Sequence, residues 1–332
     1  MLTLSPWIGR ALLASALLVY PHLATDFWIV SVGAYAMVLG IIALSLTFLT
    51  AYGGMISMAQ MATAGAAGYA LAIFSAHSAS AGMALLPWPW AVGIAIAVGT
   101  LTGILIGIVA VRSHGIYMLM STLAVAMIMF YLAQQNTTIL HGFDGFSGVA
   151  VPRLGGVSLR EPLTFYYLCL AAGTLLYALV IYLVRVPFGL VIQGIRDDPL
   201  RMASLGYRVW LHQVMAFAVA GFIAAVGGVL SLWYHGGISP GSIGITATVN
   251  VLIVAVIGGL GHPRGAFIGA LVFVLLQNFA VDLVGSDRYN TLIGFVFLVI
   301  VIASPDGLTG LWRRLRGIRK GSLDGDVVTQ KL

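Results

Sequence analysis

Between Phe27 and Val111 the chain carries no Asp, Glu, Lys or Arg, and the same holds from Val209 to Pro263. A water-soluble domain does not leave that much surface uncharged. In lipid a backbone must satisfy its own polar groups, so uncharged stretches of this length are read as membrane-spanning helices. The chain is therefore expected to be an all-α integral membrane protein. Ten helices are predicted, at roughly residues 8–23, 27–49, 55–76, 88–111, 115–136, 163–184, 210–233, 245–261, 266–284 and 289–304. Arg10 ahead of an apolar run also fits a signal peptide. No small-x-small cleavage site precedes Asp26, so residues 8–23 are read as a retained helix.

Composition narrows the class. The 41 glycines in a chain that is 60% hydrophobic fit helices packed closely in lipid, not a Leu-rich anchor. The 332 residues leave no room for a large soluble domain beside the spans. Cys169 is the sole cysteine and lies in an apolar run, so no internal disulfide is expected. The histidines show no H-E-x-x-H spacing, and no metal site is expected. The formal charge of +6 does not point to nucleic acid, because the positive residues concentrate in the predicted loops.

Loop charge sets the orientation. With the N-terminus in the cytoplasm, alternation places Arg10, Arg112, Arg185, Arg196, Arg201, Arg208, Arg264, the Arg313 to Lys320 cluster and Lys331 inside. Only Arg153, Arg160 and Arg288 fall outside. This is the bias that the positive-inside rule describes. Trp88, Trp90 and Trp312 fall near helix ends, where interfacial aromatics belong. Residues 1–308 are read as one transmembrane domain, with an inner loop at 186–208 and an outer loop at 137–162. Residues 309–332 form a basic inner tail. Helices one to five and six to ten enter from opposite sides, which permits two inverted five-helix halves.

The inner loop is the richest local signal. Asp198 is suited to cap a helix, Pro199 to open it and Gly206 to stop it, so a short helix over 199–205 is predicted. It carries Leu200, Ala203 and Leu205 among Arg196, Asp197 and Arg201. It reads either as a docking element for a cytoplasmic partner or as a basic loop that only fixes topology. Polar residues within the spans, Ser57, Gln60, Thr122, Gln134, Gln135, Asn136, Asn250, Gln277 and Asn278, read either as pathway lining or as interhelical hydrogen-bonding groups.

Catalytic signals are weak. Gly145, Ser147 and Gly148 imitate a serine-hydrolase signature, yet His141 lies in the same outer loop and the segment reads as a Gly/Asp turn. Neither Lys320 nor Lys331 follows a glycine, so no phosphate-binding loop exists and any ATP chemistry must come from another chain.

Five segments carry a resemblance. Pro187, Phe188 and Gly189, then Arg196, Asp197, Asp198, Ala203, Leu205 and Gly206, resemble the cytoplasmic motif of ABC-importer permeases of the branched-chain amino acid family. Pro199 and Met202 depart from it. Gly53 to Gln60 is similar to that family's Gly-Gln-x-Ser-x-Gly-His segment, with its last two positions changed. Arg112, Gly115, Tyr117, Thr122, Leu123 and Ala124 follow its Arg-x-x-Gly-x-Tyr pattern. Gly142, Asp144, Gly145 and Gly148 resemble its outer Gly-Asp-Gly loop. Gly258, Gly259, Gly261, Gly265, Gly269 and Ala270 resemble its glycine-rich segment, with Ala266 replacing a proline. The pattern is closer to the M-type than to the H-type permease.

The resemblance implies a non-catalytic permease subunit in a bacterial inner membrane, paired with a second homologous permease. Two cytoplasmic ATPases would bind ATP and Mg, and this chain would hold no cofactor. A periplasmic binding protein would deliver substrate to the loop containing Gly142, Asp144 and Gly145. ATPase coupling would fall to Arg196, Asp197, Asp198, Pro199, Leu200, Arg201, Ala203, Leu205 and Gly206. The rival readings are a secondary transporter or channel working without ATPases, and a membrane scaffold. The first usually buries ionisable groups, and the spans have almost none, with Asp282 the best candidate.

Topology is directly testable. In a Cys169-free variant, Lys331→Cys is expected to stay unlabelled by an impermeant thiol reagent in intact cells and to react after permeabilisation; strong labelling in intact cells would reverse the orientation.

Overall fold

The computed structural model describes residues 15, 17–75, 86–149, 151–154, 157–284, 291, 294, 295, 297–299, 302 and 307–310. Half of the first predicted helix, most of the tenth, and all of the basic tail beyond residue 310 lie outside these residues. A π-helical segment, Trp28–Ala34, continues into α1, Tyr35–Gly53. Then follow α2, Gln60–Phe74, α3, Trp88–Ala110, α4, Ile116–Gln135, and α5, Pro162–Arg185. Two short helices, α6, Pro187–Asp197, and α7, Pro199–Ser204, lead to α8, Val209–His235. A 3-10 turn, Pro240–Ile243, precedes α9, Ile245–Gly258, and α10, Pro263–Val284. Among the described residues, 7 helical segments are long and apolar enough to cross a membrane.

Helix α8 and the segment Trp28–Gly53 form the centre of the bundle, each with about two thirds or more of its most apolar stretch buried. In α3, α4 and α5 that share is 28%, 22% and 28%, so their outer faces remain open to lipid or to another chain. Such helices are not driven together by water, and their association rests on close van der Waals contact. The sequence supplies that contact as a row of glycines one helical turn apart. On α3, Gly99, Gly103 and Gly107 face Ala225, Gly221 and Phe217 of α8. A methyl group at Gly103 would sit 2.7 Å from the Gly221 Cα. On its other side α8 brings Gly228 against the Ala64 backbone of α2. The α9–α10 hairpin is built the same way, with Gly258 and Gly269 against backbone carbonyls of Gly265 and Val254.

Loop contacts sort the connections onto two faces. On one face the strands β1 (Phe146–Ser147) and β4 (Gly237–Ile238) pair antiparallel, and the Val149 N–H donates to the Gly236 carbonyl at 3.0 Å. The outer loop is therefore sewn to the turn after α8. A small hairpin, β2 (Arg153–Leu154) with β3 (Val157–Ser158), belongs to the same loop. On the opposite face Arg196 reaches the Ala51 carbonyl, and Thr309 donates to the Gly258 carbonyl at 2.9 Å. Arg112, Arg185, Arg196, Arg201, Arg208 and Arg264 lie at helix ends and loops on the side of this second face.

Two predicted boundaries shift. The helix expected over 27–49 runs on to Gly53, and the one expected over 55–76 begins only at Gln60. Hydropathy continues unbroken through this region, whereas the backbone does not. Gly54 adopts the left-handed conformation at φ 65°, its N–H bonds to the Thr50 carbonyl, and the Met55 N–H bonds to the Leu49 carbonyl. That pattern terminates a helix.

If the α3–α8 contact depends on the missing Cβ, Gly103→Ala is expected to destabilise the purified protein by about 1–3 kcal/mol. Gly93→Ala on the same helix, where a Cβ meets nothing within 4 Å, is expected to leave the melting temperature unchanged. Equal melting of the two variants would show that the contact is not tight.

Candidate functional site

The first functional element is the break between α1 and α2, residues 54–59. Met55, Ser57 and Ala59 are buried although the backbone is not helical, and Gln60 is buried at the start of α2. Non-helical backbone at membrane depth is tolerated only where protein or trapped water satisfies it. Here side chains do so. The Thr122 hydroxyl on α4 accepts from the Met58 N–H at 3.0 Å, and the Ser57 hydroxyl accepts from the Ala59 N–H at 3.3 Å. The Ser45 hydroxyl of α1 reaches the Gln60 Oε1 at 3.0 Å, tying the two sides of the break together. Three of the polar residues predicted in the spans, Ser57, Gln60 and Thr122, thus converge on one feature and hold it by intramolecular bonds.

The other candidates lie elsewhere. Gln135 is exposed at the outer end of α4, and the Asn136 carbonyl oxygen of the side chain accepts from the Ile139 N–H at 2.9 Å, which shapes the turn. Gln134 and Asn250 are half-buried on α4 and α9. On α10 the Asn278 amide donates to the Val274 carbonyl at 2.9 Å, and the Gln277 Oε1 is buried without a protein partner among the described residues.

The second element is the inner loop. Asp198 caps α7 by accepting from the Arg201 N–H at 3.0 Å, with Pro199 in the first turn and Gly206 at φ 91° just beyond the end. The helix ends at Ser204, one residue short of the predicted stop. None of its residues is buried; Leu200 is 82% and Leu205 65% exposed. Met202 packs on Gly194, where a Cβ would lie 2.8 Å from its sulfur. The larger side chain at 202 thereby fills the space that Gly194 leaves.

Sequence reasoning missed α6. Its buried residues Val191, Ile192 and Ile195 recur at helical spacing, a signal hidden by the search for spans of membrane length. It also missed the link between loop and break. The Arg196 guanidinium donates to the Ala51 carbonyl at 2.6 Å and is held by Asp197 at 2.8 Å. Gly54 permits this, since a Cβ there would meet the Arg196 Cγ at 2.6 Å. A cation at a helix C-terminus also complements the exposed carbonyls of its last turn. The third element is the outer loop, where Gly142 and Gly145 adopt positive φ and Gly145 lies directly on the Ile238 carbonyl. Asp144 is exposed between them.

Residues 28–303 match the sequence profile of the family described as branched-chain amino acid transport system / permease component. The chain belongs to this family. It is similar to the high-affinity branched-chain amino acid transport system permease protein LivM of Salmonella typhimurium, with 26% identity over 253 residues, 69% of this chain and 59% of the relative. LivM of Escherichia coli is 25% identical over 248 residues, 68% of this chain and 58% of its own length. LivH of Escherichia coli is 31% identical over a shorter stretch of 135 residues, 40% of this chain and 43% of its own. The chain thus spans about three-fifths of the LivM relatives it matches. No solved structure matches it significantly. The family is one of transport permease components rather than of catalysts, which agrees with the reading of the Gly145 to Gly148 segment as a turn.

Because Arg196 is partly exposed, its bond to the end of α1 is expected to contribute about 1 kcal/mol. Arg196→Ala is expected to speed amide hydrogen exchange across residues 51–58 several-fold, with α8 unchanged. Unaltered exchange in that segment would show that the link does not hold the break.

Proposed function

We propose that this chain forms half of the translocation pathway of an ATP-driven importer for branched-chain or other hydrophobic amino acids or related small solutes. The observation that carries the reading is α7, a capped helix that leaves Leu200 and Leu205 exposed among charged residues on the arginine-rich face. Exposed leucines on a rigid projection are poor design for a loop that only fixes topology, and they suit a cleft in a partner. Family membership supplies the partners by analogy. They are a second homologous permease, two cytoplasmic ATPases that bind ATP and Mg, and a periplasmic binding protein facing Gly142, Asp144 and Gly145.

On this reading the arginine-rich face is cytoplasmic in a bacterial inner membrane, with both termini on that side. The full bundle has about ten helices in two inverted five-helix halves, and the open faces of α3, α4 and α5 offer surface for the second permease. Motion of α7 passes through Arg196 to the break at 54–59, which lies beside α4. Ser57, Gln60, Thr122, Gln135, Asn136 and Asn250 border the route, the first three by fixing the shape of the break. Arg196, Asp197, Asp198, Pro199, Arg201 and Gly206 build and orient the docking helix, and Leu200, Ala203 and Leu205 meet the ATPase.

Reconstitution with the partner permease and ATPases tests the reading. Ala203→Glu is expected to separate ATP hydrolysis from uptake or to release the ATPase. Leu205→Asp is expected to weaken ATPase binding by about 2 kcal/mol or more if Leu205 is an anchor. Gly206→Val is expected to distort the turn, because its φ is positive. Membrane insertion is expected to persist in all three, since no span is altered. Normal coupling in Ala203→Glu would remove the loop from the mechanism.

A further inference from the structure

On the face opposite α7 the bundle contains a half-open cavity of about 290 Å³ between α2, α8 and the outer loop. Its walls are mostly apolar, supplied by Met61 and Ala64 of α2, Leu232 of α8, Phe146 and Ile238. Around them stand a carboxylate, an imidazole and several hydroxyls, from Asp144, His235, Ser231, Ser239 and Ser147. An apolar cavity with a few convergent polar groups is the usual form of a small-molecule site, and this volume lies at the small end of such sites.

The polar groups are held in place. The His235 Nδ1 lies 2.9 Å from the Ser231 carbonyl, which can only accept, so this nitrogen carries the proton and Nε2 is left as the acceptor in the neutral ring. The ring is packed edge-on to Tyr234 at 4.8 Å and Tyr35 at 5.9 Å, which fixes its plane. Among the described residues Asp144 has no ion-pair partner. It sits between Gly142 and Gly145, both at positive φ, of which Gly145 lies against the 238–239 backbone. The β1–β4 pairing fixes this edge of the cavity to the turn after α8. The cavity is therefore bordered by two groups able to accept, the Asp144 carboxylate and the His235 imidazole, together with serine residues whose hydroxyls can donate.

We infer that this cavity is an outer subsite for a free amino acid with an apolar side chain. Asp144 and His235 Nε2 accept from its ammonium group, the serine hydroxyls donate to its carboxylate, and Met61, Ala64 and Leu232 receive the side chain. This inference rests on the transport reading given above, and it adds that the permease itself, and not only a binding protein, recognises the zwitterion. The volume matches a solute of about one amino acid, and the single acid favours a cationic group at the mouth.

The test uses the complete permease–ATPase complex, purified without binding protein, and radiolabelled leucine in equilibrium dialysis. Saturable leucine binding is expected. Asp144→Asn is expected to weaken it about tenfold, the loss of one charge-assisted bond. Ser231→Phe, which fills the cavity, is expected to abolish it. Unlabelled 4-methylpentanoate, which lacks the ammonium group, is expected to compete far less well than leucine. Complex recovery by size exclusion checks that each variant assembles, and Asp144→Asn carries the test if Ser231→Phe does not assemble. Leucine binding unchanged in Asp144→Asn, or competition by 4-methylpentanoate equal to that by leucine, overturns the subsite. Absence of saturable binding in a complex that takes up leucine when binding protein is added also overturns the subsite and leaves the transport reading intact. A complex that neither binds nor transports any of a panel of amino acids overturns both.

Discussion

The bundle depends on how closely α8 can approach its neighbours. In lipid, helices gain nothing by hiding apolar side chains from each other, so contact distance decides whether they associate. Gly99, Gly103 and Gly107 let α3 lie backbone to backbone on α8, and Gly228 does the same for α2. These contacts place α8 where the end carrying His235 can close the cavity and the opposite end can receive the loop carrying α6 and α7. Widening either contact by the radius of one methyl group would move both ends at once.

The second constraint is the break between α1 and α2. A membrane helix that ends at Gly54 leaves backbone groups that lipid cannot satisfy. Thr122, Ser57 and the Ser45–Gln60 pair are the compensation, and Arg196 supplies a further bond from outside the bundle. The inner loop is thereby attached to a place beside the central helices where the backbone is not locked into a regular ladder. Such a place is mechanically softer than an intact helix. Its position next to α4, with α7 projecting beyond it, gives the proposed coupling route a continuous set of contacts.

Much of this was legible in the amino-acid order. Charge-free stretches located the spans, and loop arginines correctly gathered on one face. Asp198, Pro199 and Gly206 announced α7, because capping is a local interaction between neighbours in the chain. The Gly145 to Gly148 segment read as a turn for the same reason, and Gly145 and Gly148 adopt positive φ. By contrast, Ser57, Gln60 and Thr122 could be named only as polar residues with two possible roles, since their partners lie on other helices.

The sequence by itself determined the class of molecule, the approximate spans, the separation of loop charge and the family. These follow from hydropathy, local capping and motif order, none of which requires knowing what lies across the bundle. Tertiary structure alone decided that the second glycine of the Gly53–Gly54 pair is a helix stop holding room for Arg196, and that Met202 fills the gap at Gly194. It also decided that Asp144 and His235 border one cavity although α5 to α8 separate them along the chain. The physical reason is that such placements are set by how near two backbones can come, and that distance is a property of the facing surfaces together, never of either segment alone.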